Sequence, residues 1–180
     1  VGIRIFMRKE TKLEPDDPGL DRILRAAVRH EFPVNILCWD NVEVGTAVID
    51  RHPDTRFVVD HLAILQPRSP PAPAEPWADL PKVLELAKRQ NAVIKVSGAC
   101  TLSREPYPFA DIWAPLARVF DAWGIERCLW GTDWTRAHAV VNYEQAVTPF
   151  VETDRLSADE RAMLMGGACA KAYSWSPGNS

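Results

Sequence analysis

Several kinds of segment are missing from this chain, and each absence removes a class of function. No apolar run approaches the roughly 18 residues that a membrane-spanning helix needs. The net charge of −3 offers no basic face to nucleic acid. No glycine-rich GxGxxG or P-loop motif follows an apolar run, which counts against nucleotide binding. The four cysteines are far apart and form no CxxC pair, so we expect buried, reduced thiols in a cytoplasmic protein.

What remains is the composition of an ordinary globular protein. With 180 residues, of which 47% are hydrophobic, the chain is long enough to build one good core. The sequence starts with Val1, directly at a predicted strand, so we expect it to be a piece of a longer protein. We also expect a single domain over residues 1–175, followed by a disordered tail over residues 176–180.

Five short apolar runs predict β-strands, and helical stripes lie between them. The runs are continuous rather than alternating, as in parallel strands that are covered on both faces. The alternation of strand and helix indicates an α/β fold, either a (β/α) barrel or a doubly wound sheet. Five strands are too few for a closed eight-stranded barrel, so we expect a small open sheet or the C-terminal part of a barrel. The five runs cover residues 2–7, 33–39, 56–60, 92–97 and 127–131.

The predicted helices carry start and stop signals. Asp17 and Pro18 open the first helix, Gly124 ends the clearest apolar stripe, and Ser157 with Glu160 fits a capping box. Further helices are expected from residues 44 and 77 and over residues 142–152. Residues 66–76 hold five prolines and predict a long loop, and long loops inside a compact domain are usually functional or mobile.

Two of the apolar runs end in residues that can carry acid–base chemistry. One run leads into Asp133, and another leads into Asp60 and His61. In parallel α/β proteins the catalytic groups gather where strands end, so we expect Asp133 and His61 in one active site. Two alternatives stay open: Asp133 caps the following helix, or His61 is a buried histidine that only closes a hydrogen bond.

Five further residues are weaker candidates for contacts with a substrate. Lys95 interrupts a buried apolar run, where an ammonium group needs a counter-ion or a substrate anion. Arg4 and Arg8 lie in and just after the first run, where a fork of donors can hold a carboxylate or form a surface salt bridge. Arg104 and Tyr107 lie in the loop after the fourth run and are candidates for the same role.

Three motifs follow one another along the chain: Asp60-His61-Leu62-Ala63, Ile94-Lys95-Val96-Ser97-Gly98 and Trp130-Gly131-Thr132-Asp133-Trp134. Their order and spacing resemble the amidohydrolase-related family, and within it the lactonase branch that includes 2-pyrone-4,6-dicarboxylate hydrolase. The resemblance covers nearly the whole chain. It implies a (β/α)8 barrel in which residues 2–7 form the fourth strand and residues 129–133 the eighth. Three strands and a His-x-His pair would then lie upstream.

The resemblance also implies a chemistry. Metal-dependent members carry a histidine at the end of the fifth strand, where this chain has Leu37 or Cys38. The lactonase branch also lacks that histidine and works without metal, so the resemblance implies a hydrolase without a metal cofactor. In it, Asp133 would take a proton from water and His61 would polarise the lactone carbonyl. The residues expected to hold a substrate carboxylate are Arg4, Arg8 and Arg104, with Lys95 and Tyr107 as further substrate contacts.

Two alternatives to the metal-independent lactonase remain. One is a decarboxylase or hydrolase of the same superfamily that depends on zinc or another divalent metal. The other is a non-catalytic, truncated fragment. For the enzyme, the expected partner is a small lactone or carboxylate, with no nucleic acid and no membrane, and an oligomer is left open.

Overall fold

A computed structural model describes residues 2–175 and contains one sheet of five parallel strands. All five predicted strands are present, and neighbours in the chain are neighbours in the sheet. A doubly wound sheet reverses its strand order at a switch point, whereas this sheet runs in one direction, as the strands of a (β/α) barrel do. The strands are β1 Ile3–Phe6, β2 Val34–Leu37, β3 Phe57–Val59, β4 Ala92–Ser97 and β5 Cys128–Gly131.

The helices begin at the signals that the sequence carries. Asp17 accepts a hydrogen bond from the backbone N–H of Leu20 at 2.8 Å, and capping boxes start the helices after Asn142 and Ser157. A π-helical turn, Met163–Gly167, joins the last two helices. The helices are α1 Pro18–Arg29, α2 Val42–Arg51, α3 Leu80–Leu86, α4 Trp113–Trp123, α5 Trp134–Ala137, α6 Tyr143–Val151, α7 Ala158–Ala162 and α8 Ala168–Tyr173.

One helix begins later than the sequence indicates. The apolar stripe starts at Trp77, but α3 starts at Leu80 and carries Pro81 in its first turn. Proline is favoured there because the N–H groups of the first turn have no acceptor within the helix, so the N–H that proline lacks costs no hydrogen bond. The chain between Ala63 and Leu80 forms neither helix nor strand, which agrees with the predicted proline-rich loop. Residues 176–180, the expected tail, lie outside the described residues.

One face of the sheet is covered by helices, and the other is covered only in part, because Arg4 and Phe6 of β1 are exposed there. Helices α1 to α4 pack on the face that carries Ile36, Val59 and Ile94, and these residues belong to the main core. A smaller cluster covers the other face, where Val58 and Leu129 meet α8. The strand register places four polar side chains on this second face, namely Arg4, Asn35, Lys95 and Ser97. Within residues 2–175, no helix is long and apolar enough to cross a membrane.

Candidate functional site

The carboxyl ends of β3, β4 and β5 bring together His61, Ser97 and Asp133. His61 and the next two residues have positive φ angles, 52° at His61, and Asp133 has a φ of 48°. This backbone region is costly for most residues other than glycine and is enriched at functional sites. Both positions that the sequence singles out as an acid–base pair lie in this region, as do Lys12, Glu31 and Phe109 outside the site.

His61 has a contact at each ring nitrogen. Its Nε2 lies 3.0 Å from Nη2 of Arg4, and its Nδ1 lies 2.8 Å from Oγ of Ser97. Because a guanidinium can only donate, Nε2 must accept from Arg4, and the neutral imidazole carries its proton on Nδ1. That proton faces Ser97 and also Oδ2 of Asp133, which is 3.5 Å away.

His61 is neutral at pH 7. Burial lowers its pKa, and this effect exceeds the opposing pull of the Asp133 and Asp60 carboxylates; Arg4 and Lys95 lower it further. A neutral imidazole is consistent with the tautomer that the Arg4 contact requires.

The lowered pKa of His61 predicts how stability depends on pH. The unfolded chain takes up a proton at about pH 6.5, whereas the folded chain takes it up only at lower pH. The free energy of unfolding therefore loses this contribution as pH falls through about 6.5 towards the folded pKa. His61→Gln is expected to flatten the decrease between about pH 7.5 and pH 5, as measured by urea unfolding of the full-length protein.

The control for this experiment is His52. Burial also lowers the pKa of His52, so His52 contributes a pH dependence of the same sign, and the comparison is made in a His52→Gln background. If His61→Gln leaves the pH profile unchanged in that background, His61 has the same pKa in the folded and the unfolded chain.

Asp133 does not act as a helix cap. It occupies the residue before α5, but its side chain accepts no backbone hydrogen bond there. Its Oδ1 is 3.4 Å from the hydroxyl of Thr135, while Oδ2 is buried with no hydrogen-bond partner within residues 2–175. The side chain is only 8% exposed. A buried carboxylate oxygen without a donor is costly and is available to accept a proton.

Asp60 is the centre of a buried ion network beside this pair. It is fully buried and accepts hydrogen bonds from Nε of Arg4 at 2.7 Å and from the Asn35 amide at 3.2 Å. Its Oδ1 also lies 3.0 Å from Nζ of Lys95. Burial alone would lower the pKa of Lys95, but Asp60 and the Tyr173 hydroxyl together raise it. Arg4 and Lys95 thus have a counter-ion within the protein, and their contact with a substrate stays a prediction.

A second group of basic side chains surrounds Trp39, which follows β2. The ring of Trp39 lies 5.8 Å from the His61 ring. The guanidinium carbons of Arg8 and Arg136 lie 5.3 and 4.6 Å from the centre of the Trp39 ring. Arg68, in the proline-rich loop, is close enough to Arg136 to lower its pKa. We call Trp39, Arg8, Arg68 and Arg136 the arginine–tryptophan cluster.

Arg104 and Tyr107 make their contacts elsewhere. The Arg104 side chain donates to the carbonyl oxygen of Ala74 at 3.2 Å, and its backbone N–H donates to Asp111 at 2.7 Å. Tyr107 is exposed and packs edge-on against Phe109. None of these contacts, within the part of the chain that the structure describes, involves His61 or Asp133. A substrate role for either residue stays a prediction.

Within residues 2–175, the side chains around His61 offer few ligands to a divalent metal ion. Nε2 of His61 accepts from the Arg4 guanidinium, and a metal ion placed there would be repelled by that positive charge. Burial raises the pKa of the nearby Cys38 thiol to about 12, and Asp60 adds to the shift. Over residues 2–175, no group of three His, Cys, Asp or Glu side chains is placed to hold a metal.

The chain matches the family model described as amidohydrolase over residues 1–175. Among curated proteins it is similar to the L-fucono-1,5-lactonase of Burkholderia ambifaria, with 28% identity over 170 residues. The match covers 88% of this chain and 55% of that protein. The chain thus spans little more than half the length of this relative.

Solved structures with little sequence identity share the fold. An amidohydrolase from Burkholderia multivorans with bound zinc has a TM-score of 0.76 at 24% identity, covering 94% of this chain and 64% of that one. A probable 2-pyrone-4,6-dicarboxylic acid hydrolase from Acinetobacter baumannii with bound citric acid has a TM-score of 0.71 at 20% identity, covering 97% and 64%. A TIM-barrel protein from Bordetella bronchiseptica has a TM-score of 0.63 at 15% identity, covering 91% and 53%. The predicted partial (β/α) barrel is confirmed.

Proposed function

We propose, since the chain belongs to the amidohydrolase family, that the protein opens a lactone ring that carries a carboxylate. One observation carries the proposal. Oδ2 of Asp133 is buried without a hydrogen bond from any residue between 2 and 175, and it lies 3.5 Å from Nδ1 of the neutral His61. A carboxylate held ready beside an imidazole, at the carboxyl ends of barrel strands, suits general-base chemistry on a carbonyl compound.

Asp133 is the proposed general base. A water molecule gives one proton to Oδ2 while its oxygen bonds to the carbonyl carbon of the lactone. The ring C–O bond then breaks, and the proton passes from Asp133 to the ring oxygen that leaves. The product is the open-chain hydroxy acid, and Asp133 returns to its ionised form.

Arg4 is the proposed partner of the carbonyl oxygen, which becomes negatively charged during the attack. Arg4 is the cation in contact with His61, and its side chain is 42% exposed. We place the carbonyl oxygen beside Arg4, which polarises the carbonyl. The polarising role expected for His61 passes to Arg4, because Nε2 of His61 accepts from the guanidinium and has no proton for the oxygen. The proton on Nδ1 of His61 faces Ser97 and the carboxylate of Asp133.

The names of the relatives support a lactone as substrate. The curated relative is a lactonase for L-fucono-1,5-lactone, and one structural relative is a probable hydrolase for a pyrone dicarboxylic acid. The second of these relatives contains bound citric acid, which agrees with a substrate that carries carboxylates. The small-molecule lactone or carboxylate partner and a cytoplasmic location, favoured by the free cysteines, belong to the same proposal.

A metal-dependent decarboxylase or hydrolase of the same superfamily is the second candidate. It is favoured by the zinc bound in the Burkholderia multivorans relative. The Arg4 contact at Nε2 of His61 favours the metal-independent reaction for this chain. The non-catalytic fragment remains the alternative for the 180 residues alone.

The substrate class is tested by offering the full-length protein a panel of compounds. The panel contains sugar 1,5-lactones with and without a carboxylate, 2-pyrone carboxylates, and aromatic carboxylic acids that can lose CO2. Proton release is expected with the carboxylated lactones and not with the aromatic acids. Release of CO2 without lactone hydrolysis would contradict the proposal and favour the second candidate.

A further inference from the structure

The arginine–tryptophan cluster is built in a way that the proposed base chemistry does not explain. Trp39 is 3% exposed, and both Arg8 and Arg136 lie over its ring. The ring attracts each cation. The two guanidinium groups repel each other, however, and Arg68 adds a third positive charge close to Arg136. An assembly of this kind is stabilised when an anion binds to it.

The cluster also holds buried donors without acceptors. Nε of Arg8, Nε1 of Trp39 and Nε of Arg136 are shielded from solvent and have no hydrogen-bond partner within residues 2–175. The hydrogen bond that Arg136 does make runs from Nη2 to the backbone oxygen of Gln66, at 2.6 Å. A guanidinium has five N–H donors, so most of those of Arg136 are unused. Unpaired buried donors are uncommon in folded proteins because each costs free energy.

Only one member of the cluster has a carboxylate partner among the described residues. Arg8 pairs with Glu10 at 2.7 Å and with Asp40 at 3.8 Å. Arg136 and Arg68 form no ion pair in residues 2–175. Burial, Arg68 and Arg8 lower the pKa of Arg136, against the weaker effect of Asp133. The positive charge of Arg136 is therefore uncompensated within the described structure.

The cluster lies next to the candidate acid–base pair. The ring of Trp39 lies 5.8 Å from the His61 ring, centre to centre, and the Arg136 guanidinium carbon lies 4.6 Å from the centre of the Trp39 ring. A carboxylate attached to a lactone ring can bind the arginines while the ring carbonyl meets His61 and Asp133.

We propose that the arginine–tryptophan cluster binds the anionic group of the substrate, with Arg136 as the residue that selects an anionic over a neutral lactone. Arg136 supplies a fork of donors for a carboxylate, Arg68 adds positive charge at longer range, and Trp39 fixes the plane of the Arg136 guanidinium. The placement of this anion relative to the lactone ring rests on the proposed lactonase activity; the anion site itself does not.

The first test measures anion binding without any reaction. Citrate binding to the full-length protein is followed by titration calorimetry at constant ionic strength. Arg136→Gln and, separately, Arg68→Gln are expected to weaken binding, the first by about 10- to 100-fold, which is the usual effect of losing a hydrogen bond to a charged group. Arg136→Lys keeps the positive charge but loses the forked N–H donors of the guanidinium, so its citrate affinity is expected to lie between those of the wild type and Arg136→Gln. Wild-type binding should weaken as salt is added.

The matched control is Arg155→Gln. Arg155 also lies over a tryptophan, Trp113, at 5.9 Å, but it is outside the cluster, so citrate affinity should not change. Equal losses of citrate affinity in Arg136→Gln and Arg155→Gln would overturn the proposal. So would an unchanged citrate affinity in both Arg136→Gln and Arg68→Gln. Because Arg68 is exposed in the loop, its variant still tests the site if Arg136→Gln fails to fold.

The second test measures selectivity on paired lactones that differ only in the carboxylate. Arg136→Gln is expected to raise KM for the anionic lactone by about 10- to 100-fold, with kcat and the KM for the neutral lactone little changed. An equal change for both lactones would overturn the proposed selectivity. If citrate binding depends on Arg136 but no lactone is hydrolysed by the wild type, the anion site stands and the proposed function fails.

Discussion

Replacing Asp133 with asparagine is expected to lower kcat/KM for a carboxylate-bearing lactone by about 100- to 10,000-fold, the usual effect of removing a general base. The amide keeps the shape of the side chain but cannot take a proton from water. The loss should appear in kcat, because the arginine–tryptophan cluster and Arg4 remain to bind the substrate. Steady-state kinetics of the full-length protein measure both constants.

The stability of Asp133→Asn separates a catalytic from a structural role. Within residues 2–175, Oδ2 has no hydrogen bond to lose, so the free energy of unfolding should change by less than about 1 kcal/mol. The control variant is Asp121→Asn, at an exposed position on α4, which should leave both activity and stability unchanged. Full lactone turnover by Asp133→Asn would remove Asp133 from the mechanism.

Replacing Asp60 with asparagine is expected to have the largest effect on stability, about 3 to 5 kcal/mol. The variant leaves Arg4 and Lys95 without the carboxylate that both contact at 3.0 Å or less. The lost carboxylate destabilises the charged form of Lys95 more than that of Arg4, because the Lys95 side chain is 26% exposed and the Arg4 side chain 42%. A poorly hydrated ammonium group needs a counter-ion. Urea unfolding of the full-length protein measures the loss.

Two further variants identify the cause of that loss. Asp50→Asn breaks a similar carboxylate–arginine pair with Arg89, but that carboxylate is half exposed, so the expected loss is only about 0 to 1 kcal/mol. In the double variant Asp60→Asn with Lys95→Met, the uncompensated charge of Lys95 is gone and only that of the more exposed Arg4 remains, so more than half of the lost stability should return. Equal losses at Asp50 and Asp60 would show that burial of the ion network contributes nothing.

The sheet and the proximity of Asp133 to His61 could be predicted because both depend on local patterns. Each strand is a short apolar run, and burial on both faces makes such runs continuous. Asp133 and His61 directly follow two of these runs, and parallel strands place their carboxyl ends at one edge. The structure adds the contact between the two side chains and shows that Asp133 does not cap α5.

The partners of Arg4 and Lys95 could not be predicted in the same way. The sequence shows that Lys95 needs a counter-ion, but Asp60 meets it only because β1, β3 and β4 are held in a particular register. Asp60 itself appeared in the sequence only as the neighbour of His61. An ion pair between residues far apart in the chain depends on the whole sheet, which no local pattern encodes.

The sequence reasoning missed Trp39 and Arg136. Trp39 follows β2 as His61 follows β3, and Arg136 comes three residues after Asp133. Their position just beyond strand ends was the available signal, since catalytic loops begin there. Their contact also depends on the proline-rich loop, where Gln66 holds Arg136, and the course of a long loop does not follow from its composition.

The central claim is that Asp133 and His61 open a lactone without a metal. It is tested most directly by measuring hydrolysis of a carboxylate-bearing lactone by the full-length protein before and after treatment with a chelator, with the metal content determined in the same samples. The account predicts that kcat/KM is unchanged when the metal has been removed, and that added zinc does not increase it. Loss of activity on chelation that zinc restores would contradict the account and establish the metal-dependent reaction.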